Sequence, residues 1–160
     1  MAKRNATMKA TIRPAGLADV AAIAALLPEL ASFDIPKGRT PKDLWAGDLD
    51  NLHDWAAGKK PQCMVSVAHS GDEILGFTIV SLRAELLSGE PSAHLEAIVV
   101  AQAARGTGVG RALLNHVEAN AKAQGARSIT LHVFGNNTNA RAVYRNQGYD
   151  EELIRASKLL

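Results

Sequence analysis

Apolar residues at Val20, Ile23, Leu27 and Leu30 fall three and four positions apart, the spacing of one helical face, and the alanines between them favour helix. This predicts a helix over residues 17–33, preceded by a strand over 9–13 and a turn at Pro14-Ala15-Gly16. Pro36, Gly38 and Pro41 mark a loop, and Thr40 can cap a second helix that carries Pro41 at its first position and runs to about residue 55. On that helix Trp45, Leu49, Leu52 and Ala56 make the apolar face, while Asp43, Asp50 and Asp54 make a solvated acidic one. Two β-rich runs, 64–69 and 74–82, are joined by Ser70-Gly71-Asp72-Glu73 and read as a hairpin. After a break at Ser88-Gly89-Glu90-Pro91, residues 94–100 are apolar on both faces except for Glu96, the pattern of a central strand covered on each side.

The period then returns to helical over 110–124, with Leu113, Leu114, Val117 and Ala121 on one stripe and Gly125 as the stop. A strand over 128–134, a turn at Gly135-Asn136-Asn137, a helix over 138–147 and a last strand within 151–160 complete the reading. No internal repeat or linker interrupts it. The expectation is one mixed α/β domain over residues 1–160, with a central sheet of about six to seven strands flanked by about four helices.

Composition narrows the function. The chain is 47% hydrophobic and 21% charged, as in an ordinary globule, and Lys+Arg 18 against Asp+Glu 16 leaves a net charge of only +2. So even a balance gives no broad basic field for a phosphate backbone, which argues against a nucleic-acid partner. Cys63 is the sole cysteine, so there is no intramolecular disulfide or thiolate metal cluster, and a reducing cytoplasm suits the chain. The five histidines form no metal-binding pattern. Lys3, Arg4, Lys9 and Arg13 ahead of the apolar run 20–27 outline an export signal, but Asp19, Pro28 and Glu29 bound the run. It is also far short of the roughly 20 residues that span a bilayer, so neither export nor a membrane partner is expected.

The most informative stretch is Arg105-Gly106-Thr107-Gly108-Val109-Gly110-Arg111, between an apolar strand and a helix. Alternating glycines let successive N–H groups point into one concavity, and the positive end of the following helix makes that concavity suit a phosphate or diphosphate. A dinucleotide fold requires G-x-G-x-x-G near the first strand, and a triphosphate loop requires Gly-Lys-Ser/Thr; this loop has neither. A tight turn without any ligand is the remaining reading of the glycines alone.

With its context, the loop resembles the diphosphate loop Q/R-x-x-G-x-G/A of the GNAT superfamily of acyl-CoA-dependent N-acyltransferases, with Arg105, Gly108 and Gly110 in the specified positions. Upstream, His94-Leu95-Glu96-Ala97-Ile98-Val99-Val100 is similar to the family's central strand. Downstream, the segment from Asn137 through Ala140 and Tyr144 to Gly148-Tyr149 is similar to N-x-x-A-x-x-x-Y-x-x-x-G-F/Y. The proline that many members carry just before the loop is absent, and Ala101-Gln102-Ala103-Ala104 stands there instead. The resemblance implies a cofactor core over about residues 62–150 and acceptor-side helices over about 17–57. It implies acetyl-CoA as co-substrate, with Ile98, Val99 and Val100 pairing with the pantetheine arm, residues 105–111 (Arg105, Gly106, Thr107, Gly108, Val109, Gly110, Arg111) gripping the diphosphate, and Asn137 reaching the pantetheine region. Asn137 can equally be a plain helix cap.

The implied reaction is attack of a neutral primary amine on the acetyl thioester within a ternary complex. Glu96 is the candidate base: it is the lone carboxylate in its run, where partial desolvation makes a carboxylate a stronger base. It could instead hold an arginine. His94, on the same side if the strand has no bulge, is the reserve base, and His132 comes third. Tyr144 matches the tyrosine that hydrogen-bonds the departing sulfur. A main-chain N–H near Ile98 or Val99 can serve the oxyanion. For the acceptor, residues 33–40 and the region of Tyr149 are expected to contribute, with Asp34 and Asp150 able to draw a cation. Leu86 and Leu87 either cap the core or form a homodimer contact. The competing reading is a non-catalytic acyl-CoA sensor that regulates a partner protein.

Overall fold

A computed structural model describes residues 9–160; Lys3 and Arg4, part of the basic cluster noted above, lie outside the described residues. Among the described residues five strands form one sheet in chain order: β1 (Thr11–Pro14), β2 (Cys63–Ser70), β3 (Glu73–Ala84), β4 (Pro91–Val100) and β5 (Ser128–Leu131). The first three pairings are antiparallel, β2–β3 and β3–β4 through short connections and β1–β2 across the long connection 15–62, while β4 and β5 are parallel. Parallel neighbours need a crossover, and helix α3 (Val109–Ala123) supplies it.

Helices α1 (Val20–Leu26) and α2 (Ala46–Ala56) cover one face of the sheet. There Ile23, Leu27 and Leu52 pack on Val65, Val67, Phe77, Ile79, Ala97 and Val99. The opposite face receives α3, whose Leu113, Leu114, Val117 and Ala121 are buried as their stripe predicts, and Tyr144 from α4 (Thr138–Asn146). The first helix is not continuous over 17–33. It begins with a 3-10 turn at Leu17–Asp19 and tightens into another at Leu27–Ala31, where Pro28 has no N–H to continue the α ladder.

The strand count also differs from expectation. β5 stops at Leu131, three residues short of the predicted end, and the tail 151–160 is exposed throughout and joins no strand. Its apolar residues come as the adjacent pairs Leu153-Ile154 and Leu159-Leu160, which point to opposite sides of an extended chain and give no single face to bury. The free edge of β5 therefore opens onto a groove lined by Lys122, Ser128, Tyr149 and Glu152.

Two local features shape the centre of the sheet. Opposite β3 the register jumps from Ile79↔Ala97 to Val80↔Leu95, so Glu96 is the extra residue of a β-bulge. Leu95 faces α3 while Ala97 and Val99 face α1 and α2, an inversion that simple alternation forbids. Next to it, Gly76 lets α3 and β4 approach closely: a Cβ there would lie 2.5 Å from the Val99 carbonyl oxygen and 3.1 Å from Leu113 Cδ1. Gly47, by contrast, sits in α2 with open space around it. Gly76→Ala is expected to lower stability by about 1–3 kcal/mol through overpacking against backbone, and Gly47→Ala to raise it by about 0.5–1 kcal/mol, both read from urea denaturation midpoints.

Candidate active site

The site begins where two strands part. β4 and β5 pair from Ser92↔Ser128 to Leu95↔Leu131, and beyond that point β4 continues to Val100 without a strand beside it among the described residues. On its other edge the same segment pairs with β3, from Ile98↔Thr78 to Val100↔Gly76. Half of the main-chain groups over residues 97–100 therefore face a widening cleft and can accept an extended partner as an added strand. Of Ile98, Val99 and Val100, the residues predicted to pair with a pantetheine arm, Val99 turns its carbonyl toward Gly76 of β3, and Ile98 and Val100 turn their main-chain groups to the open edge.

At the open end of the cleft the chain makes a 3-10 turn at Gln102–Ala104 and enters the glycine loop. Gly106 (φ 74°) and Gly108 (φ 92°) both take the left-handed conformation that residues with a Cβ rarely adopt, and a Cβ built at either would meet nothing. The first main-chain bond of α3 runs from the Ala112 N–H to the Gly108 carbonyl at 3.0 Å. That leaves the N–H groups of Val109, Gly110 and Arg111 as the donors that no helix satisfies internally. The Val109 side chain is buried and anchors this turn, and the Thr107 hydroxyl donates to the Ala104 carbonyl, closing the loop from below. Arg111 is exposed beside the nest. Arg105 is turned away from it: its Nη2 lies 2.6 Å from Glu29 Oε2, and its Nε donates to the Val100 carbonyl at 3.2 Å. A diphosphate fits the loop through main-chain donors, an open concavity and Arg111.

At the closed end, where the strands part, stands Glu96. The bulge puts it on the α1/α2 side, half-buried, with Arg83 Nη1 3.8 Å from Oε1 and His94 Nε2 4.0 Å from Oε2. Both separations exceed a hydrogen bond, so neither oxygen is occupied and a water or an amine can reach them. His94 is buried, at 3% exposure, and its Nδ1 shares a hydrogen bond of 2.7 Å with the Thr130 hydroxyl on β5. Burial, and then the Arg83 charge, hold it well below the usual histidine range. A buried, neutral ring already bonded on one side orients its neighbours and is a poor base. His132 is exposed and packs edge-on against it, with ring centroids 4.8 Å apart.

Tyr144 is half-buried on α4, stacked edge-on against Tyr149 at 5.8 Å. Burial pushes its phenol up to about 12, so it keeps its proton and acts as a donor. Asn137 caps α4, its Oδ1 accepting from the Ala140 N–H at 3.3 Å, which leaves its amide nitrogen as the group able to meet a ligand. Of the predicted acceptor-side carboxylates, Asp34 and Asp150 are both exposed. Leu86 and Leu87 are exposed at 83% and 71%, so they do not cap the core.

Asp48 was not among the predicted site residues. It is half-buried on α2, and burial, reinforced by the negative charge of Glu96, raises its carboxyl to about 6. The signal was in the spacing: three residues after Trp45 and four before Leu52, Asp48 belongs to the inward face of its helix.

The sheet thus parts beside a nest of amides, with a carboxylate at the apex of the cleft. The particular family follows from comparison. The chain matches the Acetyltransferase (GNAT) family over residues 26–149, and it belongs to that family. It is an acyltransferase with a single GNAT-like α/β domain. It is 28% identical over 141 residues to the uncharacterized N-acetyltransferase YhfO of Bacillus subtilis, covering 88% of this chain and 90% of that one. Its fold is also that of the aminoglycoside N-acetyltransferase AAC(6')-Iy in complex with CoA (TM-score 0.73, 20% identity, 99% of each chain). A third likeness is to the ribosomal-protein-alanine N-acetyltransferase of Brucella melitensis (TM-score 0.70, 18% identity, 95% of this chain and 100% of that one). Among the described residues no helix is long and apolar enough to cross a membrane.

The two perturbed groups near Glu96 predict opposite acid responses. Below about pH 6.5 unfolded His94 takes up a proton that the folded ring refuses, so lowering pH weakens the fold through this group. Folded Asp48 takes up its proton near pH 6, above the ordinary aspartate value, so lowering pH from 6 to 4 strengthens the fold through that group. His94→Asn should therefore flatten the acid loss by about 1–2 kcal/mol between pH 6.5 and 5, and Asp48→Asn should raise stability at pH 7.5 by a similar amount. Urea titrations of each variant against the unsubstituted protein at pH 7.5, 6.5 and 5 check the two signs.

Proposed function

We propose that the protein is an N-acetyltransferase that moves an acetyl group from acetyl-CoA to a primary amine by direct attack in a ternary complex. The observation that carries this reading is the cleft between β4 and β5, which runs from the glycine nest to Glu96. The diphosphate is held by the N–H groups of residues 106–111 and by Arg111, each charge-assisted bond contributing about 1.5–3 kcal/mol. The pantetheine arm pairs with the open edge of Ile98, Val99 and Val100, and the Asn137 amide meets it from α4. The acetyl carbonyl then lies at the apex, between Glu96 on one side of the sheet and Tyr144 on the other.

The chemistry balances with the groups present. The amine must be neutral to attack, and at neutral pH an alkyl ammonium gives its proton to Glu96, directly or through a water. Nitrogen bonds to the carbonyl carbon, a main-chain N–H near Ile98 or Val99 holds the oxyanion, the carbon–sulfur bond breaks as the oxyanion collapses, and the second proton leaves the new amide nitrogen for solvent, which also takes back the first from Glu96. Tyr144 donates a hydrogen bond to the leaving thiolate. With its phenol at about 12 against a thiol near 8.5, full proton transfer would run uphill by about 5 kcal/mol, so the thiolate is finally protonated from solvent.

The acceptor is a small-molecule or peptide amine that enters from the α1/α2 side, where Asp48 and Glu96 favour a cation. Likeness to an aminoglycoside enzyme and to a ribosomal-protein-alanine enzyme supports an amine acceptor of either kind.

Three measurements test this. Acetyl-CoA at one hundred times its dissociation constant should stabilise the fold by about 2.7 kcal/mol in a thermal or urea melt. Thiol release should depend on an added amine from a panel of polyamines, aminoglycosides and peptides with a free N-terminus. Glu96→Gln should cut kcat about 100-fold near pH 7, a gap that narrows as rising pH deprotonates the amine, and Tyr144→Phe about 10-fold, each with the acetyl-CoA KM unchanged. Tight CoA binding with no amine-driven release would instead favour a non-catalytic sensor.

A further inference from the structure

The geometry points to Arg105 as a positioning residue for the acceptor side of the cleft, not as a ligand of the diphosphate. The inference rests on the reading of the cleft given above. Arg105 opens the glycine loop, yet its guanidinium makes three contacts with two other segments. Nη2 donates to Glu29 Oε2 at 2.6 Å and to Ser32 Oγ at 3.3 Å, and Nε donates to the Val100 carbonyl at 3.2 Å, where β4 ends. The Ser32 hydroxyl spends its own hydrogen on the Glu29 carbonyl at 2.7 Å, so its oxygen is free to accept from Arg105. The charge is thus paired with Glu29, and the Nε and Nη2 donors are engaged. Moving the guanidinium to a diphosphate would break all three contacts and leave Glu29 unpaired beside a second anion.

What these contacts hold is a strap. Immediately after Ser32, the Phe33 ring packs on Phe134 with centroids 5.7 Å apart, and Asn136 Nδ2 donates to the Asp34 carbonyl. Phe134 and Asn136 follow β5, whereas Val100 and Arg105 follow β4. Residues 29–34 therefore bridge the two strands exactly where they have parted, tied to the β4 side by Arg105 and to the β5 side by Phe134 and Asn136. The strap comes from the α1/α2 side, the side that Glu96 faces. It is a wall of the space in which the amine must wait, and its stiffness sets how well the amine is held. Arg105 fixes one of its two ends.

The test separates this role from phosphate binding. CoA is titrated calorimetrically into the full-length protein and into Arg105→Gln, Glu29→Gln, Arg105→Lys and Arg111→Gln, and amide exchange of residues 29–34 is followed by mass spectrometry. Arg105→Gln and Glu29→Gln should each speed exchange in the strap about three- to tenfold, the double variant no further than either. Arg105→Lys, which keeps the charge beside Glu29, should recover most of the protection. The Kd for CoA should stay within twofold in both Gln variants and rise about tenfold or more in Arg111→Gln. With acetyl-CoA and the best amine of the panel, Arg105→Gln should raise the amine KM about fivefold and leave the acetyl-CoA KM alone. A tenfold loss of CoA affinity in Arg105→Gln, tighter CoA binding in Glu29→Gln, or unchanged exchange in the strap would each overturn the assignment. If the unsubstituted protein fails to bind CoA, the reading of the cleft fails, while the exchange data still decide whether Arg105 ties the strap.

Discussion

Parallel pairing between β4 and β5 ends at Leu95↔Leu131, and the rest of the site depends on that early end. An unpaired strand edge is ordinarily a liability, because its N–H and C=O groups invite another strand. Here the exposed edge is about four residues long, it lies between two covered faces of the sheet, and the strap 29–34 bridges its open end. Another protein's strand would not fit, but a thin extended chain would. On the proposed function, the cleft thereby turns an unsatisfied hydrogen-bonding requirement into selectivity for a narrow, amide-bearing carrier.

Two features hold the strands apart at that point. The bulge at Glu96 adds a residue to β4 against β3, bending the strand and increasing its local twist just where β5 leaves. The contact at Gly76 then seats α3 on the diverging half of β4, so the amino end of that helix is delivered to the mouth of the cleft. The same inserted residue inverts the faces of β4. Leu95 is committed to the α3 core, while His94, Glu96 and Ala97 all lie toward α1 and α2. One residue thus both opens the cleft and aims the carboxylate into it.

Much of this was legible in the residues, and the exceptions share a cause. The α3 stripe, the hairpin, the covered central strand and the glycine loop are local patterns, and each was read from spacing within about 15 residues. The bulge at Glu96 is a property of register between β3 and β4, which no single strand encodes, so alternation could place His94 beside Glu96 but not the inversion at Ala97. The loss of pairing after Leu131 is likewise a relation between strands. Pro28 and Asp48 are different. Both carried a readable local signal, the missing N–H and the inward helical position, and both were overridden by a stronger pattern around them: the alanine-rich period in one case, the acidic residues of α2 in the other. Arg105 shows the limit of a motif. The loop pattern identifies its backbone position correctly, while the direction of its side chain depends on Glu29, 76 residues away in the chain.

Charge along the cleft is arranged end to end. Arg105 is neutralised by Glu29, which leaves the loop amides and Arg111 to favour an anion at the mouth, and Asp48 with Glu96 to favour a cation at the apex. From Glu96 to Val100 the chain is extended, so at about 3.3 Å per residue the apex lies roughly 13 Å from the end of β4, where the turn at Gln102–Ala104 leads into the loop. That exceeds the screening length of about 8 Å at physiological salt, so the field of each end is weakened at the other across solvent. On the proposed function, an anionic carrier and a cationic amine would be drawn to opposite ends of one groove, with the uncharged thioester between them. A net charge of only +2 conceals this arrangement, because the polarity that matters is distributed along one strand and not over the surface.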